Sequence, residues 1–218
     1  LISKDEKNVV LCARDLTIRR GNEVLFHSLN FELQPGRLLW LRGSNGSGKT
    51  SLLRVVAGLT RPDSGQLTCH GAALSTSKDY KGKLLYLGHS SALKDDLTPM
   101  ESLKFLSDIR GLPCAKDRIE SALRRVGVFH RRHLSARVLS QGQRRRVALA
   151  RLALEDGPGL WILDEPLDAL DDAGIAVVKE LFKENVQRGG SVLFTSHIPL
   201  DTNALPIEVL TLQGPRGT

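Results

Sequence analysis

Residues Gly43 to Thr50 read GSNGSGKT, and no other stretch restricts the fold as strongly. The pattern G-x-x-x-x-G-K-S/T requires a strand before it and a helix after it. Both are present in the sequence. Leu38, Leu39, Trp40 and Leu41 form an apolar run of strand length, and Ser51 to Leu59 carries Leu52, Leu53, Val55 and Val56, which suits a helix with a mostly apolar circumference. Gly43, Gly46 and Gly48 let the backbone take positive φ and approach a ligand without a Cβ clash. The expected phosphate-binding set is Gly43, Ser44, Asn45, Gly46, Ser47, Gly48, Lys49, Thr50 and Ser51, an anion nest of N–H groups at the positive end of the following helix. Lys49 is expected to reach the β- and γ-phosphates, and the Thr50 hydroxyl to ligate Mg²⁺. The plain structural alternative is a glycine-rich turn before a buried helix.

Length and composition set the outer bounds. At 218 residues the chain can bury one sizeable core with a small lobe inserted. No apolar run approaches the ~18 residues that span a bilayer, and the start lacks the apolar segment of a signal peptide. Work at a membrane would therefore need partner subunits. The chain starts on Leu1 in place of Met, as a trimmed start would, which leaves a removed targeting segment open. Cys12, Cys69 and Cys114 fit neither a disulfide framework nor a zinc pattern and read as reduced packing residues of an intracellular protein. The formal charge of +7 suits a polyanionic nucleotide, an acidic membrane surface or nucleic acid. No run of Lys and Arg exceeds three residues, so direct nucleic-acid binding is not expected.

From Val9 to Leu33 the residues alternate around a turn at Gly21 and Asn22, which predicts antiparallel strands with one covered face. Arg61 to Gly65 predicts a turn, and QLTCH and KLLYLG predict further strands. Residues 90–139 carry helical spacing and no convincing strand. Thr98, Pro99 and Glu101 mark a helix start, and Asp117 with Glu120 repeats the signal. This stretch is expected to form a helical subdomain between the two parts, 1–89 and 140–218, of an α/β core. Beyond it the sequence predicts a helix over 141–155, a strand at LWIL, a helix over 172–188, a strand at SVLFTS and a last strand near IEVLTL. That alternation implies a parallel sheet.

LWILDEP, from Leu160 to Pro166, ends a buried-strand pattern on two carboxylates. Such acids lie at the carboxyl edge of a parallel sheet, beside the phosphate loop. Asp164 is expected to hold Mg²⁺, directly or through water, and Glu165 to polarise the attacking water. Alone, the same run would be an ordinary strand end; the glycine loop upstream gives it chemical meaning. In VLSQGQRRRVALARLAL, Ser140 and Gln143 form a capping box. Gly142 in the first turn costs about 1 kcal/mol against Ala, so the bare positive helix end beside a Ser hydroxyl reads as a second phosphate-binding device and not only as a well-capped helix.

With these motifs in hand, the chain resembles the ATP-binding-cassette (ABC) ATPases over essentially its whole length. LSQGQ matches that family's LSGGQ signature except at Gln141, and the phosphate loop, signature, Asp-Glu strand end, DALD (Asp168 to Asp171) and His197 follow in the family's order. The resemblance implies a P-loop NTPase with a RecA-like parallel sheet core, an N-terminal antiparallel β subdomain and an inserted helical subdomain. It implies ATP with Mg²⁺, and a homodimer in which Ser140, Gln141, Gly142 and Gln143 of one copy cap the γ-phosphate bound by Lys49 of the other. Asp171 would lie at that interface, and His197 would contact the γ-phosphate. Two positions depart from the family pattern. The adenine-stacking aromatic falls on Arg20, whose guanidinium plane can stack on a base, and the lid glutamine falls on His89, which puts direct contact with Mg²⁺ or water in doubt.

Finer motifs, YLGH, SQGQRRRVALARL, WILDEP and GGSVLFTSH, resemble the ATP-binding subunit of the haem exporter of cytochrome c maturation. That branch implies integral membrane subunits as partners and a peripheral position on the cytoplasmic face of the inner membrane, or the matrix side in an organelle. His130 and His133 stand among arginines, with no apolar pocket for haem, and read as a solvated helix end. Three other functions compete: the ATPase subunit of another small ABC transporter, a soluble ABC ATPase of repair, translation or iron–sulfur assembly, and an ATP-dependent binding switch with negligible turnover. The lack of a second cassette or large insertion weighs against repair and translation, and Glu165 against the switch.

Overall fold

The computed structural model describes residues 9–74, 84–200 and 204–213. Two sheets organise them. β1 (Leu11–Arg20) and β2 (Glu23–Leu33) form the expected hairpin, and with β4 (Ser64–Cys69) and β5 (Ala72–Ala73) they make an antiparallel sheet of order β2-β1-β4-β5. β3 (Leu38–Arg42), β6 (Leu84–Leu87), β7 (Leu160–Leu163), β8 (Ser191–Thr195) and β9 (Ile207–Thr211) make a parallel sheet of order β6-β7-β8-β3-β9.

Alternation along the central strands decides what covers each face. Leu39, Leu41, Leu160, Ile162 and Leu193 pack with Leu52, Leu53 and Val56 of α1 (Lys49–Val56) and with the inner face of the antiparallel sheet. Leu38, Trp40, Trp161, Leu163, Val192 and Phe194 point the other way, onto Val178, Leu181 and Phe182 of α5 (Asp172–Gln187). Both faces are thus covered, which is why β3, β7 and β8 read as unbroken apolar runs.

A third core lies within α2 (Pro99–Ile109), α3 (Lys116–Arg125) and the turns after them, where Leu103, Ile119, Leu123, Val128 and Ala136 meet. It is closed by Val147 and Ala150 of α4 (Gln141–Ala150), while Leu149 of the same helix enters the α5-side core. α4 therefore belongs to both bodies. Residues 90–139 contain no strand, and α2 begins on the Thr98–Glu101 capping box. Among the described residues, no helix is long and apolar enough to cross a membrane.

Several boundaries moved. α1 begins at Lys49 and stops at Val56, because Gly58 turns into the left-handed region at φ 69°. β4 takes in Ser64 and Gly65 from the expected turn. Gly65, at φ 88°, lies so close to the Asp15 carbonyl that a Cβ would overlap it, where the β1–β4 register shifts. α3 is capped by Ala115 without a side-chain bond, not by Asp117. Asp117 instead sits in the first turn, where its charge suits the helix dipole, and Glu120 pairs with Lys116 and Arg124. α4 ends at Ala150 and tightens into a 3₁₀ turn at Leu152–Leu154 in place of continuing to 155. Lys83, the first residue expected in the KLLYLG strand, lies outside the described residues, and β5 had no sequence expectation.

Phe182 is fully buried, with ring centroids 6.5 Å from Trp161 and 5.5 Å from Phe194. Phe182→Ala should destabilise the fold by about 3–5 kcal/mol, read as a lower urea midpoint. A midpoint equal to the parent's would show that this contact does not carry the α5-side core.

Candidate functional site

The strand register sets the site. Leu41 stands beside Thr195, Phe194 beside Leu163, and Leu163 beside Leu87. The four strands thus end nearly level, and the segments leaving them, the glycine loop, Ser196–His197, Asp164–Glu165 and Gly88–His89, converge on one edge. A cleft of ≈ 310 Å³ opens there, lined by residues of those segments together with Arg20 and Leu25 from the hairpin.

The loop is shaped for an anion. Gly46 and Gly48 take φ 82° and 92°, and a Cβ on Gly48 would come within 3.1 Å of Leu25 and of the Phe26 ring. Glycine is required there by both backbone and packing. Gly48 caps α1 without a side-chain hydrogen bond, and the first turn carries no acid, so the helix end keeps its positive character. The Ser47 hydroxyl is buried without a partner. Lys49 Nζ donates to the carbonyls of Gly43 at 2.8 Å and Ser44 at 3.0 Å, folded across the loop it is expected to serve. Glycines at positive φ, a positive helix end and an ammonium together fit a polyphosphate.

The carboxylates are held by hydroxyls. Asp164, 2% exposed, accepts from Thr50 Oγ1 at 2.8 Å on Oδ2 and from Thr195 Oγ1 at 2.9 Å on Oδ1. The Thr195 hydroxyl oxygen in turn accepts the Glu165 N–H at 2.8 Å. Glu165 has φ 49°; its Oε2 accepts the His197 N–H at 3.0 Å, and Oε1 lies 3.5 Å from His197 Nε2. Thr50 and Asp164 are hard oxygen donors suited to Mg²⁺, and among the described residues no cluster of three His, Cys, Asp or Glu could hold an ion. Mg²⁺ tolerates so small a protein share, because it keeps waters and draws on substrate phosphates.

Beneath these strand ends lies a residue the sequence reading did not single out. Arg145 of α4 is 5% exposed. Its Nη2 donates to the carbonyls of Asp164 and Glu165, both at 2.6 Å, and Nη1 to that of Gly88 at 3.0 Å. Burial pulls its pKa down from the ordinary guanidinium value, opposed by the nearby Asp168, Asp164 and Glu165 carboxylates.

The signature residues stand apart from the cleft. Ser140 and Gln143 form the expected capping box, with Gln143 N to Ser140 Oγ at 3.2 Å and Ser140 N to Gln143 Oε1 at 3.1 Å. Ser140 and Gln141 are exposed, and none of Ser140, Gln141, Gly142 and Gln143 lines the cleft. A Cβ on Gly142 would meet the Ala169 carbonyl at 2.7 Å, so this helix start packs directly on the DALD turn. Asp171 caps α5 by accepting the Gly174 N–H at 2.8 Å, and it pairs with Arg146. First the Gly174 bond and then Arg146 hold its carboxyl below the usual range. Arg20 and His89 are exposed at the cleft, whereas His130 and His133 are exposed elsewhere.

Residues 26–168 match the family described as ABC transporter. The chain belongs to the ABC transporter family. It is 44% identical over 204 residues to the cytochrome c biogenesis ATP-binding export protein CcmA of Nitrosomonas europaea, covering 93% of this chain and 95% of that protein. It is 46% identical over 192 residues to the protein of that name from Methylococcus capsulatus, covering 88% and 92%. Among solved structures, an ABC transporter ATP-binding protein from Pyrococcus furiosus superposes with a TM-score of 0.78 at 25% identity, covering 93% of this chain and 96% of that one. The ATP-binding subunit of another ABC transporter superposes with a TM-score of 0.82 at 24% identity, over 93% and 88%.

As an ATP-hydrolysing subunit of this family, the chain supplies from its own edge the loop, the carboxylates and a histidine, but no signature residue. Three residues at the site were missed from sequence. Leu25 and Thr195 looked like ordinary strand positions. Arg145 left no distinguishing signal either, because Arg144, Arg145 and Arg146 each precede two buried residues of the run Val147 to Ala150 by three and four positions.

Thr195→Val removes both the donor to Asp164 and the acceptor for the Glu165 N–H. It should lower stability by about 1–3 kcal/mol and slow ATP turnover, with Thr195→Ser recovering both. Equal losses in Val and Ser variants, in urea titrations and phosphate-release assays, would assign the effect to packing and not to the hydroxyl.

Proposed function

We propose that this chain is the ATP-binding and ATP-hydrolysing subunit of an export complex in cytochrome c biogenesis, and that its turnover drives haem delivery or the release of a haem chaperone. The observation that carries the reading is the name shared by relatives that match nearly end to end. The branch motifs YLGH and SQGQRRRVALARL agree with it.

In this reading the loop from Gly43 to Ser51 binds the phosphates of ATP, and Lys49 swings from the Gly43 and Ser44 carbonyls to the β- and γ-phosphates. Thr50 and Asp164 hold Mg²⁺, which supplies charge neutralisation at the transferring phosphoryl group. Glu165 orients the attacking water and accepts its proton, while His197, already against Glu165, contacts the γ-phosphate. Arg20 stacks on the adenine. His89 stands at the lid position, where a neutral imidazole is able to accept a hydrogen bond from water.

The signature requires a second copy. Because Ser140, Gln141, Gly142 and Gln143 lie off the cleft of their own chain, they are free to close the nucleotide of a partner copy, with the turn that ends at Asp171 beside them. Integral membrane subunits complete the complex, and the chain acts peripherally on the cytoplasmic face of the inner membrane, or on the matrix side in an organelle. The helical stretch 90–139 is the subdomain that moves with nucleotide state, since it shares its core with the signature helix.

Lys49→Ala should lose ATP binding, and Glu165→Gln should bind ATP with turnover reduced ~10²–10⁴-fold. In cells carrying only such a variant, the membrane subunits should still co-purify with it while haem-stained c-type cytochromes disappear. Normal cytochrome bands alongside a variant inactive in vitro would reject the cytochrome c role and leave the family assignment intact.

Glu165→Gln should also dimerise with ATP and separate without it in analytical ultracentrifugation. A monomer under both conditions would count against the shared site.

A further inference from the structure

Arg145 has no role in phosphate binding or helix capping, yet it is buried where two segments of the site, Gly88–His89 and Asp164–Glu165, meet its own helix. Its bonds to the Asp164 and Glu165 carbonyls hold both peptide planes that flank the Glu165 Cα. On the other side the Glu165 N–H is held by Thr195 Oγ1. Glu165 sits at φ 49°, a conformation that L side chains rarely take and that persists only where the surroundings impose it. Since Cβ direction follows the backbone, these bonds set where the carboxylate points.

Arg145 also belongs to the helix that begins at Ser140. Five residues separate the two positions, about 7.5 Å along the axis. The guanidinium adds a third bond, to the Gly88 carbonyl beside His89. One side chain thus joins the signature helix to the catalytic strand end and to the lid strand end. Lysine would not reproduce this, because it offers one point charge in place of a planar fork.

We propose that Arg145 is a positioning residue that makes the aim of the Glu165 carboxylate depend on the seating of the signature helix. The proposal rests on the reading of Glu165 as the residue that activates water. Engagement of Ser140 and Gly142 with a second copy's nucleotide then bears, through one rigid helix, on the hydrolytic geometry of the first.

The test uses the full chain. Steady-state phosphate release, ATP affinity by equilibrium titration, and thermal midpoint are measured for Arg145→Lys and Arg145→Gln, each alone and combined with Glu165→Gln. A displaced carboxylate is expected to lower kcat by about a hundredfold, with KM and ATP affinity held within about twofold of the parent. In the Glu165→Gln background the same substitutions should leave the residual rate unchanged, because they act through the group already removed. An unchanged kcat would overturn the proposal, as would an equal loss of ATP affinity, an equal fold-loss in both backgrounds, or failure of both variants to fold. Near-parent turnover by Glu165→Gln alone would instead remove the role given to Glu165, and this proposal with it.

Discussion

The site depends on level pairing of four parallel strands. β6, β7, β8 and β3 are hydrogen-bonded in a register that brings Leu87, Leu163, Phe194 and Leu41 to one edge. A shift of one strand by a single residue would turn its side chains to the opposite face. Leu163 and Phe194 would then leave the α5-side core, and the Asp164 contacts with Thr50 and Thr195 would break. Register is therefore enforced by the burial of both faces, and the chemistry at the edge inherits its accuracy from apolar packing underneath.

The edge itself is an economical polar network. Thr195 bridges Asp164 and the Glu165 N–H, Thr50 meets the other Asp164 oxygen, and Glu165 accepts from His197. Buried polar groups such as Asp164 and Thr195 are stable only when satisfied, and here each connection also joins two separate segments of the chain. The unusual backbone of Glu165 is kept by that network, which ties local strain to the position of a carboxylate.

α4 connects this edge to the helical stretch. Val147 and Ala150 close the helical core, Leu149 enters the α5-side core, and Arg145 reaches the strand ends between them. A helix embedded in two cores transmits displacement as a rigid body, because neither interface tolerates voids. A displacement of the Ser140 end of α4 would therefore bear on both the helical stretch and the strand ends.

Much of this was legible from the chain alone. GSNGSGKT dictated a strand, an anion loop and a helix, because only that order presents N–H groups to phosphate. The capping boxes at Thr98 and Ser140 located two helix starts, because their bonds are local. The apolar runs at LLWL, LWIL and SVLFT foretold a buried parallel sheet. What needed the tertiary structure was non-local: the β6-β7-β8-β3-β9 order, the choice of Arg145 over Arg144 and Arg146 as the buried arginine, and Thr195 as the link between two carboxylate residues. Local pattern reports which face of an element is apolar. It does not report which distant carbonyl or hydroxyl will lie against that face, because such partners, 19 to 114 residues away here, are chosen by the packing of the whole chain.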